Sequence, residues 1–199
     1  MSEARRATRT ARLGRSGVTV TRLALGTGPL GGWPEATDPT VARQVIEAAW
    51  DAGFRYFDTA PMYGHGLSEK WLGAALADRP RDQFAIATKV GRLLRAGPGD
   101  QPVIFKGTPP VNPVFDFTYD GVRRSMAESL ERLQLDRVDV ANIHDPDDHV
   151  EQALTEAHKA VLDLREAGTI RAVGAGSNSA QTLTRLASAA DFDCFLLAG

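Results

Sequence analysis

The chain has 199 residues, 43% of them hydrophobic and 24% charged, with 23 Lys+Arg against 25 Asp+Glu. Those proportions fit a folded globular chain, and a net charge of −2 leaves no general basic field for duplex nucleic acid. No apolar run reaches the ~20 residues of a membrane span, and the single cysteine, Cys194, excludes a disulfide framework or a multi-cysteine zinc site, which predicts a reducing, cytoplasmic setting.

Arg5, Arg6, Arg9, Arg12 and Arg15 give the first residues the composition of an organelle transit peptide, but a short disordered basic tail over 1–10 is the simpler expectation, with the domain over 11–199. Ala11–Val20, with Gly14 and Gly17, reads as a β-hairpin. Leu23–Gly26 is a first short buried strand. Thr40–Ala52 carries Val41, Val45, Ile46 and Ala49 at helical spacing, with Gly53 as terminator. Arg55–Asp58 is a second strand, and Ser68 is placed to cap a helix with Leu72, Ala75 and Leu76 on its core face. Phe84–Thr88 is a third strand. Gly91–Phe117 shows no period and holds five prolines, so it reads as a long loop, either functional or disordered; because it and Trp33 follow strands on the same face, both are expected to wall a substrate pocket.

Thr118 or Asp120 then starts a helix with Val122, Met126, Leu130 and Leu133 inward, followed by a fourth strand over Val138–Ile143. His149–Ala167 is the clearest helix, burying Val150, Ala153, Leu154, Ala157, Val161 and Leu164 and stopping at Gly168. Ile170–Gly174, Ala180–Ala189 and Cys194–Ala198 complete the pattern as strand, helix and strand. Strand alternating with helix means parallel strands joined by right-handed crossovers. An open doubly wound α/β sheet and a (β/α)8 TIM barrel both fit; a closed barrel runs to about 250 residues, so the barrel would be incomplete, with strands 1–6 behind an N-terminal hairpin.

Two motifs point away from their usual chemistry. Gly26-Thr27-Gly28-Pro29-Leu30-Gly31 matches a dinucleotide fingerprint, but Gly32, Trp33, Pro34 and Pro39 delay the helix that would hold the pyrophosphate. His144-Asp145-Pro146-Asp147-Asp148-His149 offers imidazoles and carboxylates at no standard ligand spacing, and Asp147 or Asp148 is explained as a helix cap, so no metal site is assigned. His158 reads as a solvated surface residue, and Trp50 and Trp71 as helix packing groups.

The remaining polar residues form a pattern. Asp58 ends strand two, Tyr63 follows in its loop, Lys89 ends strand three and His144 ends strand four. Parallel strands bring all their C-terminal ends to one face, where such folds keep their sites. A phenol with its ordinary pKa near 10 is a weak acid for neutral pH, a lysine ammonium beside it favours the phenolate, and a carboxylate fixes the lysine. A histidine can bond the substrate oxygen. Together these groups can move a proton to or from an alcohol or carbonyl oxygen.

From about Val18 onward the chain resembles the aldo-keto reductase family, a family of (β/α)8 barrels that use NAD or NADP. The resemblance is carried by Leu25-Gly26-Thr27, Gly53-Phe54-Arg55, Asp58-Thr59-Ala60, Tyr63 to Glu69, Thr88-Lys89, Ser129-Leu130, Leu135 to Asp139, His144, Ile170 to Gly174 and Ser177-Asn178, in order. It implies a catalytic tetrad of Asp58, Tyr63, Lys89 and His144 with Tyr63 as general acid/base. It further implies nicotinamide-carboxamide contacts from Ser177 and Asn178, and an approach of Thr27 to the nicotinamide ribose. Phe115 to Gly121 and His144 to Asp148 resemble the branch of aldose 1-dehydrogenases, L-fucose dehydrogenases and pyridoxal dehydrogenases, which implies a small-molecule aldehyde, sugar or pyridoxal substrate. The chain departs from the family at Tyr56, where a smaller residue or His is common, and in Phe192–Gly199, which lacks the Gln or Asn that often helps hold the carboxamide. It also lacks strands seven and eight, whose loops hold the cofactor's phosphates and adenosine.

The expected function is therefore NAD(P)-dependent interconversion of an alcohol or sugar hemiacetal with a carbonyl or lactone. Two alternatives come from other classes: a nicotinamide-binding module that senses redox state without rapid turnover, and a metal-dependent barrel hydrolase using His144 and His149.

Overall fold

A computed structural model describes residues 9–100 and 104–198. The expected basic tail lies outside them over residues 1–8, and Thr10 already belongs to a strand. β1 (Thr10–Arg12) and β2 (Thr19–Thr21) form the antiparallel hairpin expected from Gly14 and Gly17. The rest alternates strand and helix: β3 (Leu25–Gly26), α1 (Pro39–Asp51), β4 (Tyr56–Asp58), α2 (Leu67–Leu76), β5 (Ala85–Val90), then a hairpin of β6 (Arg92–Arg95) and β7 (Asn112–Phe115). α3 (Tyr119–Leu133) and β8 (Val140–His144) follow. The next helix is α4 (Val150–Gln152), a π-helical turn (Ala153–Ala157) and α5 (His158–Glu166) in series, ahead of β9 (Ala172–Ser177), α6 (Ala180–Ala189) and β10 (Cys194–Leu197).

β3, β4, β5, β8, β9 and β10 form one parallel six-stranded sheet in sequence order. A doubly wound sheet reverses its strand order at a switch point, and this one does not. It is the curled sheet of an incomplete (β/α)8 barrel. Its edges among the described residues are β3 and β10, and Phe195, Leu196 and Leu197 on β10 are exposed. No helix among the described residues is long and apolar enough to cross a membrane.

Side chains alternate between the two faces of a strand. Phe57, Ile86, Val90, Ile143, Val173 and Ala175 pack outward into the main core with Ile46, Leu72, Met126, Val161 and Leu186 from the helices. Their neighbours Ala85, Ala87, Val140 and Ala172 pack together on the inner face, where Val18 and Val20 of the hairpin join them and close the N-terminal end. Continuing that inner row toward the C-terminal ends reaches Asp58 from Tyr56, Lys89 from Ala87 and His144 from Val140. Period two alone puts three of the four candidate residues inside the barrel mouth.

Local chemistry starts the helices. Asp38 caps α1 by accepting from Thr40 N at 2.7 Å ahead of Pro39, Thr118 caps α3 at Gly121 N (3.0 Å), and Ser179 caps α6 at Thr182 N (3.1 Å). Ser68 is no cap. α2 starts from left-handed Gly66, so Ser68 lies inside the helix and donates to Thr27 O at 3.0 Å. α1 also turns a different face inward: Ala42, Ile46 and Trp50 are buried while Val41 and Val45 are exposed.

Other boundaries moved as well. Strands three, four and five run on to Val90, His144 and Ser177, beyond the apolar runs that suggested them: Lys89 and His144 are polar inward residues still paired in the sheet, and the fifth strand continues through Gly176 to Ser177. The stretch after Gly91 contains the β6–β7 hairpin, in which Pro113 opposes Leu94; Gly91, at φ +98, turns the chain back, and any Cβ there would strike the Phe117 ring. His158 is buried, not solvated: the connection into β10 covers it, with Nε2 2.8 Å from Asp191 O and its ring on Phe192.

Candidate active site

Lys89 organises the barrel mouth. Only 2% exposed, its ammonium donates to Asp58 Oδ2 at 2.7 Å, to Thr59 O at 2.9 Å and to Tyr63 Oη at 2.9 Å, which uses all three protons. Burial pulls its pKa down, but Asp58 and Tyr63, by charge and hydrogen bonding, together outweigh that and leave it raised. The lysine is a fixed cation at neutral pH.

Tyr63 reaches this point because two loops touch backbone to backbone. A Cβ on Gly31 would lie 2.4 Å from Gly64 N, and one on Gly64, at φ +62, would lie 2.3 Å from Gly31 O. Only glycine fits on either side. The contact pins the β3 loop against the turn that carries Tyr63.

His144, 5% exposed at the end of β8, meets the Tyr63 ring edge to face with centroids 6.2 Å apart. Burial first, then the charges of Arg92 and Lys89, hold its pKa well below the usual histidine value, so the imidazole is neutral at neutral pH. A neutral imidazole keeps one N–H donor and one acceptor. Asp58, Tyr63, Lys89 and His144 therefore converge as the strand-end argument required.

A cavity of about 190 Å³ opens on this cluster. Tyr63, Lys89 and His144 line it with Ser177 at the end of β9 and Asn178 just after it, and Ile104 and Phe105 close it on another side. Both belong to the Gly91–Phe117 stretch, and the Phe105 ring lies 6.1 Å from that of Tyr63. The stretch is held there by Lys106 N on Gly32 O (2.8 Å) and by His65 Nδ1 against Val111 O (2.6 Å). Trp33 is half exposed and does not line the cavity.

The candidate cofactor residues divide. Asn178 is exposed at the cavity and its side chain has no partner among the described residues. Ser177 donates to Asp147 Oδ1 at 2.9 Å, and Thr182 donates to the same oxygen at 2.7 Å. Asp147 is thus a brace between the β8 and β9 loops and no helix cap; neither it nor Asp148 caps α4, whose cap position is His149, with no side-chain cap bond. Thr27 is fully buried, its hydroxyl bonded to Asp58 O (2.9 Å) and Ser68 Oγ (2.6 Å), so it supports Asp58 from behind and shows no surface to the cavity. The His149 ring packs tilted against Phe115 and Phe117, and no group of three metal-binding side chains is assembled among the described residues.

Sequence reasoning missed Arg92 and Asp145. Arg92 is 2% exposed, and its Nη2 donates to Asp145 Oδ2 at 2.8 Å while Nη1 lies 3.2 Å from His144 Nδ1. The available signal was a charged residue three positions after Lys89, at the start of a stretch read as loop.

Comparison with known proteins gives the family of the chain. Over 191 residues the chain is 44% identical to a D-threo-aldose 1-dehydrogenase from a Pseudomonas species, covering 92% of this chain and 58% of that protein. It is 42% identical over 213 residues to the pyridoxal 4-dehydrogenase of Microbacterium luteolum, covering 94% and 60%. Among solved structures, an aldo-keto reductase from Bacillus halodurans in its holo form superposes with a TM-score of 0.76 at 26% identity, over 96% of this chain and 58% of that one. The chain spans about three-fifths of the length of the curated relatives it matches. The pattern of the Aldo/keto reductase family matches residues 22–197, the whole of the parallel sheet. With the ordered strand-end residues and these likenesses, the chain belongs to the aldo/keto reductase family.

Proposed function

We propose that this chain carries the catalytic centre of an NAD(P)-dependent oxidoreductase that interconverts an alcohol or sugar hemiacetal with a carbonyl or lactone. The observation that carries the reading is the Lys89 ammonium shared between Asp58 and Tyr63 beneath a small cavity. With Lys89 donating to Tyr63 Oη, the phenolic proton is left to point at a substrate oxygen, so Tyr63 is the general acid in reduction and the base in oxidation. Asp58 keeps the ammonium in place, and neutral His144 donates a hydrogen bond that orients the same oxygen.

The residues at the end of β9 fit a nicotinamide. Gly176 lines the cavity without a side chain, a Cβ there would project beside Leu196, and the Asn178 amide offers the donor and acceptor that a carboxamide needs. Bound NAD or NADP would accept or supply the hydride. Ser177, fixed by Asp147, would hold the end of β9 in place. The aldose and pyridoxal dehydrogenase relatives favour a small sugar, pyridoxal or another aldehyde as substrate.

The test is steady-state oxidation of aldoses and of pyridoxal by the complete gene product with NAD and with NADP. Reduced nicotinamide is the expected product. Tight nicotinamide binding with no turnover of either substrate class would replace this reading with a redox-sensing module.

Two consequences can be measured. Phe105→Ala should raise KM roughly two- to tenfold, the worth of an aromatic wall contact, with the cofactor dissociation constant little changed. A collapse of cofactor affinity at unchanged KM would move Phe105 out of the substrate wall. The acid limb of the kcat/KM profile should not reflect His144 near its ordinary pKa of about 6.5, because protonation of the buried ring requires a pH well below that. Arg92→Met removes one of the cations that depress it, so any His144-dependent limb should move to higher pH. A limb that moves to lower pH would contradict the assignment.

A further inference from the structure

Asp145 stands in an unusual position. It follows His144 directly, its backbone is left-handed at φ +44, and its N–H donates to Gly176 O at 2.8 Å. A non-glycine residue in that region is uncommon, and the conformation here turns the chain sharply at the end of a barrel strand. The side chain is 29% exposed and lines the cavity. Oδ2 accepts from Arg92 Nη2 at 2.8 Å and lies 3.4 Å from His144 Nε2. Oδ1 has no partner among the described residues.

Arg92 behind it is almost wholly buried, lies 4.8 Å over the Phe115 ring, and has an Nε buried without a partner among the described residues. A buried guanidinium is costly unless paired, and here the carboxylate that pairs it also meets the cavity. The proton work of the proposed reaction does not require this pair.

We propose that Asp145, backed by Arg92, is the specificity-determining residue that accepts a hydrogen bond from a substrate hydroxyl on the carbon next to the reacting one. This rests on the oxidoreductase reading and narrows its substrates to neutral α-hydroxylated compounds, of which a sugar hemiacetal is one. A carboxylate whose counter-charge lies behind it offers acceptors and no donor, so a hydroxyl is the group that satisfies it. His144 holds the reacting oxygen, and the Asp145 carboxylate sits directly beside it, Nε2 lying 3.4 Å from Oδ2, so that the unpartnered Oδ1 is left for the oxygen on the adjacent carbon. A substrate that fills the cavity without that hydroxyl covers the carboxylate and leaves its oxygen unpaired, which is how such sites discriminate.

The experiment compares an aldohexose with its 2-deoxy counterpart in the complete gene product, wild type against Asp145→Gly and Asp145→Asn. Glycine accepts φ +44 without strain and removes the carboxylate; asparagine also tolerates that region and keeps a weaker, neutral acceptor. A hydrogen bond to a charged group corresponds to roughly a ten- to hundredfold preference in kcat/KM for the hydroxylated sugar in the wild type. That ratio should collapse toward one in Asp145→Gly and fall part-way in Asp145→Asn, with the loss in KM of the hydroxylated sugar. A purely structural role would lower both sugars together and leave the ratio standing, which would overturn the proposal. Equal use of both sugars by the wild type would overturn it as well. Should the protein oxidise no alcohol at all, the oxidoreductase reading fails, and calorimetric binding of the same two sugars to the same variants still decides whether Asp145 selects the hydroxyl.

Discussion

Tyr63→Phe is expected to lower turnover by ~10²–10⁴-fold while leaving nicotinamide binding nearly intact, the range that a positioned general acid/base contributes. The substitution removes one oxygen and little else. Lys89 keeps its bonds to Asp58 Oδ2 and Thr59 O, so its charge stays paired. The ring keeps its contact with Phe105 and its place beside Gly28, where a Cβ would lie 3.7 Å from the ring carbons. The fold should therefore survive, and the loss should appear in kcat. Lys89→Met is a useful contrast, because it leaves the phenol in place but strips Asp58 of its partner and should cost stability as well as rate. Wild-type-like turnover in Tyr63→Phe would remove the phenol from the mechanism.

Much of the site was legible because of geometry that a sequence carries openly. Asp58, Lys89 and His144 each follow an apolar run, and parallel strands place all such ends together. What stayed hidden depends on contacts between segments distant in the chain. Asp145 read as part of a metal-like cluster, since nothing local shows that Arg92, 53 positions away, pairs with it. Thr27 matched a family position by number, yet its hydroxyl is bonded to Ser68 Oγ, 41 residues on, and that same contact explains why Ser68 caps nothing. The β6–β7 hairpin escaped because prolines mask its alternation, and because its pairing partners lie far apart across the connecting segment. α1 shows the same limit from the packing side: Val41 and Val45 carry the apolar pattern, but the smaller Ala42 meets the core. Helical spacing identifies a stripe and does not say which stripe the neighbouring layer will cover.

A further structural dependence, outside the Lys89 cluster, lies one residue from Lys89. Glu69, on α2, is fully buried; one oxygen accepts from Thr88 Oγ1 at 2.6 Å, the other from Arg132 Nε at 2.6 Å. Arg132 comes from α3, with 20% of its side chain exposed, and passes over Gly66, where any Cβ would lie 2.7 Å from its Cδ. One carboxylate therefore joins two helices to the strand that carries Lys89. Removing one partner of a buried pair leaves a charge without compensation, typically costing ~3–5 kcal/mol. Arg132→Met should destabilise the protein toward the lower end of that range, about 3 kcal/mol, because Thr88 still donates and the arginine is partly solvated. Urea unfolding should show a lower midpoint at an unchanged slope. Because Thr88 precedes Lys89 directly, a loosened Glu69 should also soften β5 and lower kcat. The double variant Glu69→Met with Arg132→Met removes both charges, and should recover much of the lost stability if the isolated carboxylate is the cause. A single Arg132→Met variant as stable as the wild type would show that the Glu69 charge is carried by Thr88 alone.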